Sequence, residues 1–385
     1  MTTPQHNPPT IEWRETDGRL SRARWISPGG APAPRRVIAA DDATKADAAF
    51  HLAAEGAALL WRGDYHNARQ MLAALDRRIG RKARLVAPAE FPEAFHRERM
   101  ARAQRARLLG RLLIPFEADG RIPLRRAPDV REACEEAIGR PDEAHVIPLR
   151  ELLGIVGAHE WRRKGVPVAA LAGRIHPRHG VFAPVRGDYV DLVAQEPLPP
   201  AAAGGLAFDI GAGTGVLAIL LARRGVRRVV ATDTDPRALA CVRENTRNFG
   251  FIDAIEAVEA DLFPPGRAPL IVCNPPWLPG KPASPLEAAI HDPDSRMLRG
   301  FLAGLAARLE PAGEGWLILS DLAERLKLRT RETLLGWIAQ SGLKVIARRD
   351  ARPTHPKAAD PADPLHPARA AEIVSLWRLG AASEV

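Results

Sequence analysis

The sequence predicts an α/β protein in two parts. Toward the C-terminus it expects a seven-stranded, mainly parallel sheet covered by helices, preceded by a mostly helical domain. Three observations carry this. From residue 205 onward, short apolar runs alternate with helical periodicities. The first of those runs ends in glycines and opens a helix. Before residue 180, apolar residues mostly recur at three- and four-residue spacing.

Residues 206–210 form an apolar run that stops at glycine. A helix follows at 216–224, a strand at 228–232, and a helix at 236–248 that opens on Pro236. Further strands are expected at 255–260 and 270–273. A helix at 297–309, a strand at 316–320 and a helix at 331–341 come next. Strands at 343–348 and 372–379 close the set. Alternation of this kind implies parallel strands joined by helical crossovers. The Pro/His-rich stretch 352–367, with His355 and His366, separates the last two strands. Long loops of that sort are often functional.

Residues 1–38 read as a flexible arm, because Pro and Gly cluster at 27–34. Trp13 and Trp25 imply that parts of it dock. A helical pattern spans 41–79, interrupted at Gly63-Asp64, with Asp41 or Asp42 as its cap. A second helix is expected at 92–113. It carries Arg97, Arg99, Arg102, Arg105, Arg107 and Arg111, either a phosphate-contacting ridge or a solvated face. Ala118-Asp119-Gly120 reads as a hairpin turn. Helices follow at 128–138 and 149–164, the latter ending in Arg162-Arg163-Lys164, where cations meet the helix dipole.

Composition bounds the function. The chain has 385 residues, 46% hydrophobic and 26% charged, so collagen-like and wholly disordered readings fall away. No apolar run reaches the length of a membrane-spanning helix, and the first ten residues lack a secretory pattern. Cys134, Cys241 and Cys273 are too scattered for a disulfide framework. A cytoplasmic setting is expected, with no membrane partner. The formal charge is +9, and residues 1–200 carry 32 basic against 25 acidic residues. A basic surface attracts polyanions. Only seven of the 55 cations are Lys, so an Arg-rich composition explains the excess equally well.

The strongest motif is Phe208-Asp209-Ile210-Gly211-Ala212-Gly213-Thr214-Gly215. Its spacing is G-x-G-x-G rather than the G-x-G-x-x-G of dinucleotide folds. Asp209 stands two positions before the first glycine. A carboxylate there disfavours a pyrophosphate and favours a ligand with an ammonium and a sulfonium, which S-adenosylmethionine (SAM) has. Asp233 follows the next strand, 22 residues after Gly211, where an acid can accept from ribose hydroxyls. Asp235 suits the cap of the following helix. Asp261, after the third strand, reads as an acceptor for an adenine amino group or as a plain loop carboxylate. Leu262 or Phe263 would pack on the ring.

The last motif is Asn274-Pro275-Pro276-Trp277, at the end of the fourth strand. The Asn274 side-chain oxygen and the Pro275 carbonyl make two convergent acceptors for a planar NH2 group. Trp277 either stacks on a flat base or amide or packs in the core.

Together these motifs resemble the class I SAM-dependent methyltransferases, in particular the small-domain branch with an N-P-P-[FYW] motif. The resemblance covers residues 180–385 and implies a Rossmann-like methyltransferase sheet. It implies SAM contacts at Asp209, Gly211, Gly213, Gly215, Asp233 and Asp261, and acceptor contacts at Asn274 and Trp277; Leu262 against the adenine ring and the Pro275 carbonyl as second acceptor complete the expected site. The segment 180–189 stands where the branch has an upstream SAM-contacting motif. It departs from the Pro-Arg-Pro-[DE]-[ST]-[DE] form of the glutamine methyltransferases. Residues 39–179 are then expected to recognise substrate, and 180–385 to form the methyltransferase domain.

The expected activity is N-methylation of a planar amino group, with a base of RNA, ribosomal RNA first, as the acceptor. The alternative is a protein glutamine, in a ribosomal protein or release factor. A lesser alternative is a non-catalytic SAM-binding protein associated with RNA. His176-x-x-His179 lacks a third ligand nearby, so no metal is expected. Asp292 and Asp294, after the Asn-Pro-Pro turn, either shape the acceptor pocket or cap the following helix, and capping is the expected role.

Overall fold

The computed structural model describes residues 9–15, 17–83, 90–282, 285–353, 360–361 and 363–382. The chain divides into two compact units. One comprises residues 1–88 with 96–160, the other residues 89–95 with 161–385. The boundary near residue 160 precedes the expected one at 179. Residues 166–175 are drawn into the second unit by a ribbon whose Val168, Leu171 and Ile175 join its core.

The first unit is built on a six-stranded sheet. Its strands are β1 (Thr10–Arg14), β2 (Leu20–Trp25), β3 (Val37–Ala40), β4 (Ala58–Trp61), β5 (Leu112–Phe116) and β6 (His145–Pro148), in the order β1-β2-β6-β5-β4-β3. Along the chain run α1 (Ala46–Ala54), α2 (Tyr65–Ala83), α3 (Glu93–Leu109), α4 (Arg131–Ile138) and α5 (Leu149–Lys164). Leu59, Trp61, Leu112 and Ile114 face one apolar layer; Leu60 and Leu113 face another. That alternation is the period-two signature of strands.

Several expectations are corrected here. The described part of 1–38 is not a loose arm, because it supplies two strands and the start of a third. Trp13 and Trp25 are 7% and 6% exposed, and Trp25 Nε1 donates to the Ala31 carbonyl at 2.9 Å. The helical pattern at 41–79 contains β4. Its four buried residues Ala58-Leu59-Leu60-Trp61 give a short apolar run that periodicity cannot assign. The helix expected at 92–113 stops at Leu109, and Leu112 begins β5. Lys45 occupies the α1 cap with no side-chain bond. Asp41 and Asp42 instead accept from the amides of Ala43 and Asp64. Residues 117–121 do turn, but β5 pairs with β4 and β6, so no hairpin results.

The second unit begins its regular structure with β7 (Val166–Val168), β8 (Gly173–Ile175) and α6 (Asp188–Gln195). Then come β9 (Leu206–Ile210), α7 (Val216–Arg223), β10 (Arg228–Asp233), α8 (Pro236–Asn248), β11 (Ile255–Glu259) and β12 (Ala268–Cys273). After β13 (Leu278–Pro279), α9 (Pro285–Ala288), β14 (His291–Asp292) and α10 (Arg296–Arg308) comes the long β15 (Leu309–Ser320). The chain continues through α11 (Leu322–Arg325), α12 (Arg331–Gln340), β16 (Leu343–Ala351), α13 (His366–Ala370) and β17 (Val374–Ala381). His355 lies outside the described residues; His366 opens α13.

The expected seven-stranded sheet is present, in the order β11-β10-β9-β12-β15-β17-β16. The first five strands are parallel and β17 is antiparallel to both neighbours. One face packs on α6 and α7 through Leu270 and Val272; the other packs on α10 and α12 through Ile271 and Cys273. Both faces are covered, as a parallel sheet requires. A smaller cluster joins Ala94 and Phe95 to Leu278, Leu322, Leu326 and Leu365. The chain leaves β9 toward β10 on one side and returns to β12 on the other. That reversal opens a crevice at the carboxyl ends of these strands, where such sheets bind ligands. Among the described residues no helix is long and apolar enough to cross a membrane.

Trp25→Ala tests the placement of the N-terminal strands. It is expected to lower stability by about 3–5 kcal/mol, read as a lower urea midpoint. An unchanged midpoint would mean that β2 contributes nothing to the first unit.

Candidate active site

Parallel register brings the predicted residues to one edge. Ile210 pairs with Thr232 of β10 and with Cys273 of β12. Gly211, Asp233 and Asn274 each lie one residue beyond that shared rung. Neighbouring strands are roughly 4.8 Å apart, so the three residues fall within about 10 Å across the crevice.

The loop after β9 needs glycine for two different reasons. Gly211, Gly213 and Gly215 have φ of +70°, +55° and +79°, where side chains are disfavoured. At Gly215 a Cβ would also press on Val242 of α8, 3.3 Å from its Cα. At Gly213 a Cβ would meet nothing within 4 Å, so that turn of backbone is open on its outer side. The amides of Gly211 and Ala212 both donate to the Thr232 carbonyl at 2.9 Å. Thr232 Oγ1 donates to the Leu262 carbonyl at 2.6 Å.

Asp233 ties the loop to β10. Its two oxygens accept from Gly213 N at 3.0 Å and Asp235 N at 2.9 Å. Burial pushes its carboxyl up, against the lowering effect of these amide bonds. Asp235 caps α8 as expected, accepting from Arg237 N at 2.9 Å.

Asp209 was expected to touch cofactor, and the structure turns it inward. It is 1% exposed, and Oδ2 accepts from Ala218 N in the first turn of α7 at 2.9 Å. Burial raises its pKa to about 7, and the nearby Asp233 adds to the rise. With one oxygen committed to α7, Asp209 anchors the helix. The sequence reading missed this because apposition to an amide nine residues on is a tertiary fact.

Asp261 and Leu262 also differ from expectation. Asp261 is exposed and pairs with Arg296 at 2.6 Å. Leu262 adopts φ +76° and packs into the layer under α10, where Gly300 leaves room for its side chain. Asp292 is 4% exposed and caps α10, accepting from Met297 N and Leu298 N at 3.0 and 3.1 Å. Asp294 makes no capping bond.

Asn274 does not stand alone. The Trp277 indole N–H donates to its Oδ1 at 2.9 Å. Trp277 is half-buried and packs against both apolar layers. The Arg186 guanidinium lies over its ring, 4.8 Å from the centroid. Arg186 donates to Asp188 at 2.6 and 3.2 Å and to Glu372 at 3.2 Å. Ser320 Oγ donates to Glu372 at 2.6 Å. The segment 180–189 was noticed in the sequence, but nothing there pairs Arg186 with Glu372 across 186 residues. Among the described residues no three His, Cys, Asp or Glu side chains gather into a metal-binding group. His176 Nδ1 instead bonds the Arg162 carbonyl at 2.6 Å.

A family model described as "Methyltransferase small domain" matches residues 172–325, which hold the glycine loop, Asp233 and Asn274. This is a class I SAM-dependent methyltransferase domain. Its cofactor is SAM. The residues present suit that ligand, since a buried acid and a half-buried one, both with raised pKa values, lie beside the open glycine loop. A cationic sulfonium and ammonium would offset the cost of burying them.

Three relatives are similar to parts of this chain. A ribosomal protein L11 methyltransferase of Pelotomaculum thermopropionicum is 41% identical over 73 residues, covering 18% of this chain and 24% of that protein. A tRNA1(Val) (adenine(37)-N6)-methyltransferase of Bacteroides thetaiotaomicron is 31% identical over 134 residues, covering 32% and 56%. A release factor glutamine methyltransferase of Cereibacter sphaeroides is 36% identical over 111 residues, covering 28% and 36%. The match thus spans under two thirds of the length of each relative.

The raised pKa of Asp209 makes stability pH-dependent. An unfolded Asp ionises near 3.8 and the folded one near 7. The native state therefore holds a proton that the unfolded state has lost. This stabilising contribution is complete below pH ~4 and is lost as pH rises through about 7, on the order of 4 kcal/mol. Asp209→Asn keeps an acceptor for Ala218 and never ionises. Its stability relative to wild type is expected to rise between pH 5 and pH 8 in urea denaturation without SAM. A constant difference would refute the raised pKa.

Proposed function

We propose that the protein transfers a methyl group from SAM to a planar amino nitrogen, with a base of RNA as the favoured acceptor. The observation that carries this is the position of Asn274, one residue past the rung that also ends in the glycine loop and Asp233. SAM supplies an electrophilic methyl on its sulfonium. Gly211, Gly213 and Gly215 give the backbone close approach to it, and Asp233 offers free lone pairs to ribose hydroxyls. Asp261 would reach adenine only by releasing Arg296.

Asn274 Oδ1 and the Pro275 carbonyl accept the two N–H groups of the acceptor. This turns the nitrogen lone pair toward the methyl carbon. The nitrogen forms the new N–C bond as the C–S bond breaks, its electron pair staying on sulfur. The methylated nitrogen then releases a proton to water. No covalent bond to the protein is needed.

The RNA reading draws on the basic excess of residues 1–200 and on the likeness to a tRNA adenine-N6 methyltransferase. The α3 arginines support it less than their number suggests, because Arg105 is bound to Asp76 at 2.5 and 2.6 Å and Arg102 pairs with Glu98. A base acceptor must be unpaired or flipped to enter. The second reading is a protein glutamine, favoured by the likeness to a release factor glutamine methyltransferase; an amide NH2 satisfies the same two acceptors.

Labelled SAM with cell extract, split by RNase and by protease, separates these readings. Label lost with RNase supports an RNA base; label lost only with protease moves the reading to glutamine. Asn274→Ala is expected to lower kcat by at least about 100-fold with SAM affinity unchanged. Asp233→Ala is expected to weaken SAM binding by about 10- to 100-fold, measured by calorimetry. Equal loss of binding and turnover in Asn274→Ala would remove its assigned role.

A further inference from the structure

The Asn274 oxygen that would hold the acceptor nitrogen is already bonded to the Trp277 indole N–H at 2.9 Å. A carboxamide oxygen accepts two bonds, so one site remains for substrate. The indole bond also stops the carboxamide from rotating. Trp277 is fixed in turn by packing on both apolar layers and by Arg186 over its ring at 4.8 Å. A cation at that distance is attracted by the ring quadrupole. The Arg186 side chain is 16% exposed and bound to Asp188 and to the fully buried Glu372 side chain. Ser320, at the end of β15, donates to Glu372. Four segments far apart in sequence thus meet in one line of contacts ending at Asn274.

We propose that Arg186, held by Glu372 and Asp188, is a positioning residue for methyl transfer, and that Trp277 acts through its indole N–H on Asn274. This rests on the methyl-transfer reading above. The Arg186 guanidinium covers one ring face of Trp277, which leaves at most the other face for stacking on a flat acceptor. The work of Trp277 is to hold the Asn274 oxygen at a fixed angle, so that the remaining lone pair meets one N–H of the acceptor. Asp188 and Glu372 together outweigh Arg186 by one formal negative charge. That sign suits a nitrogen that becomes positive as it takes the methyl.

The test uses full-length protein labelled with 15N-tryptophan. The indole resonance absent from Trp277→Phe identifies Trp277. In Asn274→Ala and in Arg186→Gln that resonance is expected to move and to exchange with water at least about tenfold faster. The remaining indole resonances report that each variant is folded. In methyl transfer to the sensitive extract fraction, Trp277→Phe and Arg186→Gln are expected to lower kcat by about 10- to 100-fold. The apparent KM for that fraction and the SAM dissociation constant should stay within about twofold. Arg186→Lys keeps the charge over the ring and should recover part of the rate. A Trp277 resonance indifferent to Asn274→Ala overturns the proposal. So does a raised KM with unchanged kcat, which assigns Trp277 to stacking. Wild-type protein that methylates neither fraction overturns the methyl-transfer reading and this one with it; active wild type with fully active Trp277→Phe overturns this one alone.

Discussion

Thr232 is fully buried at the end of β10 and bonds in two directions. Its carbonyl takes the amides of Gly211 and Ala212, and its hydroxyl reaches the carbonyl of Leu262. The loops after β9 and β11 are therefore set relative to β10 by one residue. A strand-end carbonyl that accepts two consecutive amides forces the next backbone turn to be tight. Gly211 meets that demand with a positive φ. Asp233, the next residue along, then lies where it can take the Gly213 amide. The arrangement of the crevice is a backbone matter first and a side-chain matter second.

Charge is distributed with equal economy. Burial raises the cost of ionising both Asp209 and Asp233, and the charge of Asp233 adds to it at Asp209. Cys273 at the end of β12, on the side of β9 away from Asp233, has its thiol pushed far up by burial, with the charge of Asp209 contributing. It remains a small apolar neighbour rather than a nucleophile. The negative character gathers on the glycine-loop side. Beside Trp277, Arg186 is paired with both Asp188 and Glu372.

The second unit was largely legible because its signals are local. Apolar runs end in glycine, Asp235-Pro236 marks a helix start, and strand spacing follows the crossovers. The 206–210 strand and the 236–248 helix were read to the residue. In the first unit the signals conflict. Ala58-Leu59-Leu60-Trp61 is too short for its period to be told, and Leu112 and Leu113 continue the helical spacing of α3 although Gly110 has ended it. Trp13 and Trp25 hinted at docking, but strand order lies outside local pattern. Within the site, backbone-determined positions such as Gly211, Asp233 and Asn274 were legible. The partners of their side chains were not: Ala218 for Asp209, Arg296 for Asp261 and Trp277 for Asn274 follow only from the fold.

The chain passes between its two units three times, since residues 89–95 belong with 161–385. Ala94 and Phe95 fill a cluster whose other members come from residues 278–368. A fragment beginning at residue 161 would keep every residue of the crevice and still lack part of its own interior wall. Leu278, directly after Trp277, would lose packing there. The smallest self-sufficient catalytic piece is thus discontinuous in sequence. Recovering it calls for a tethered or circularly permuted chain that returns Phe95 to its seat, rather than for a shorter clone.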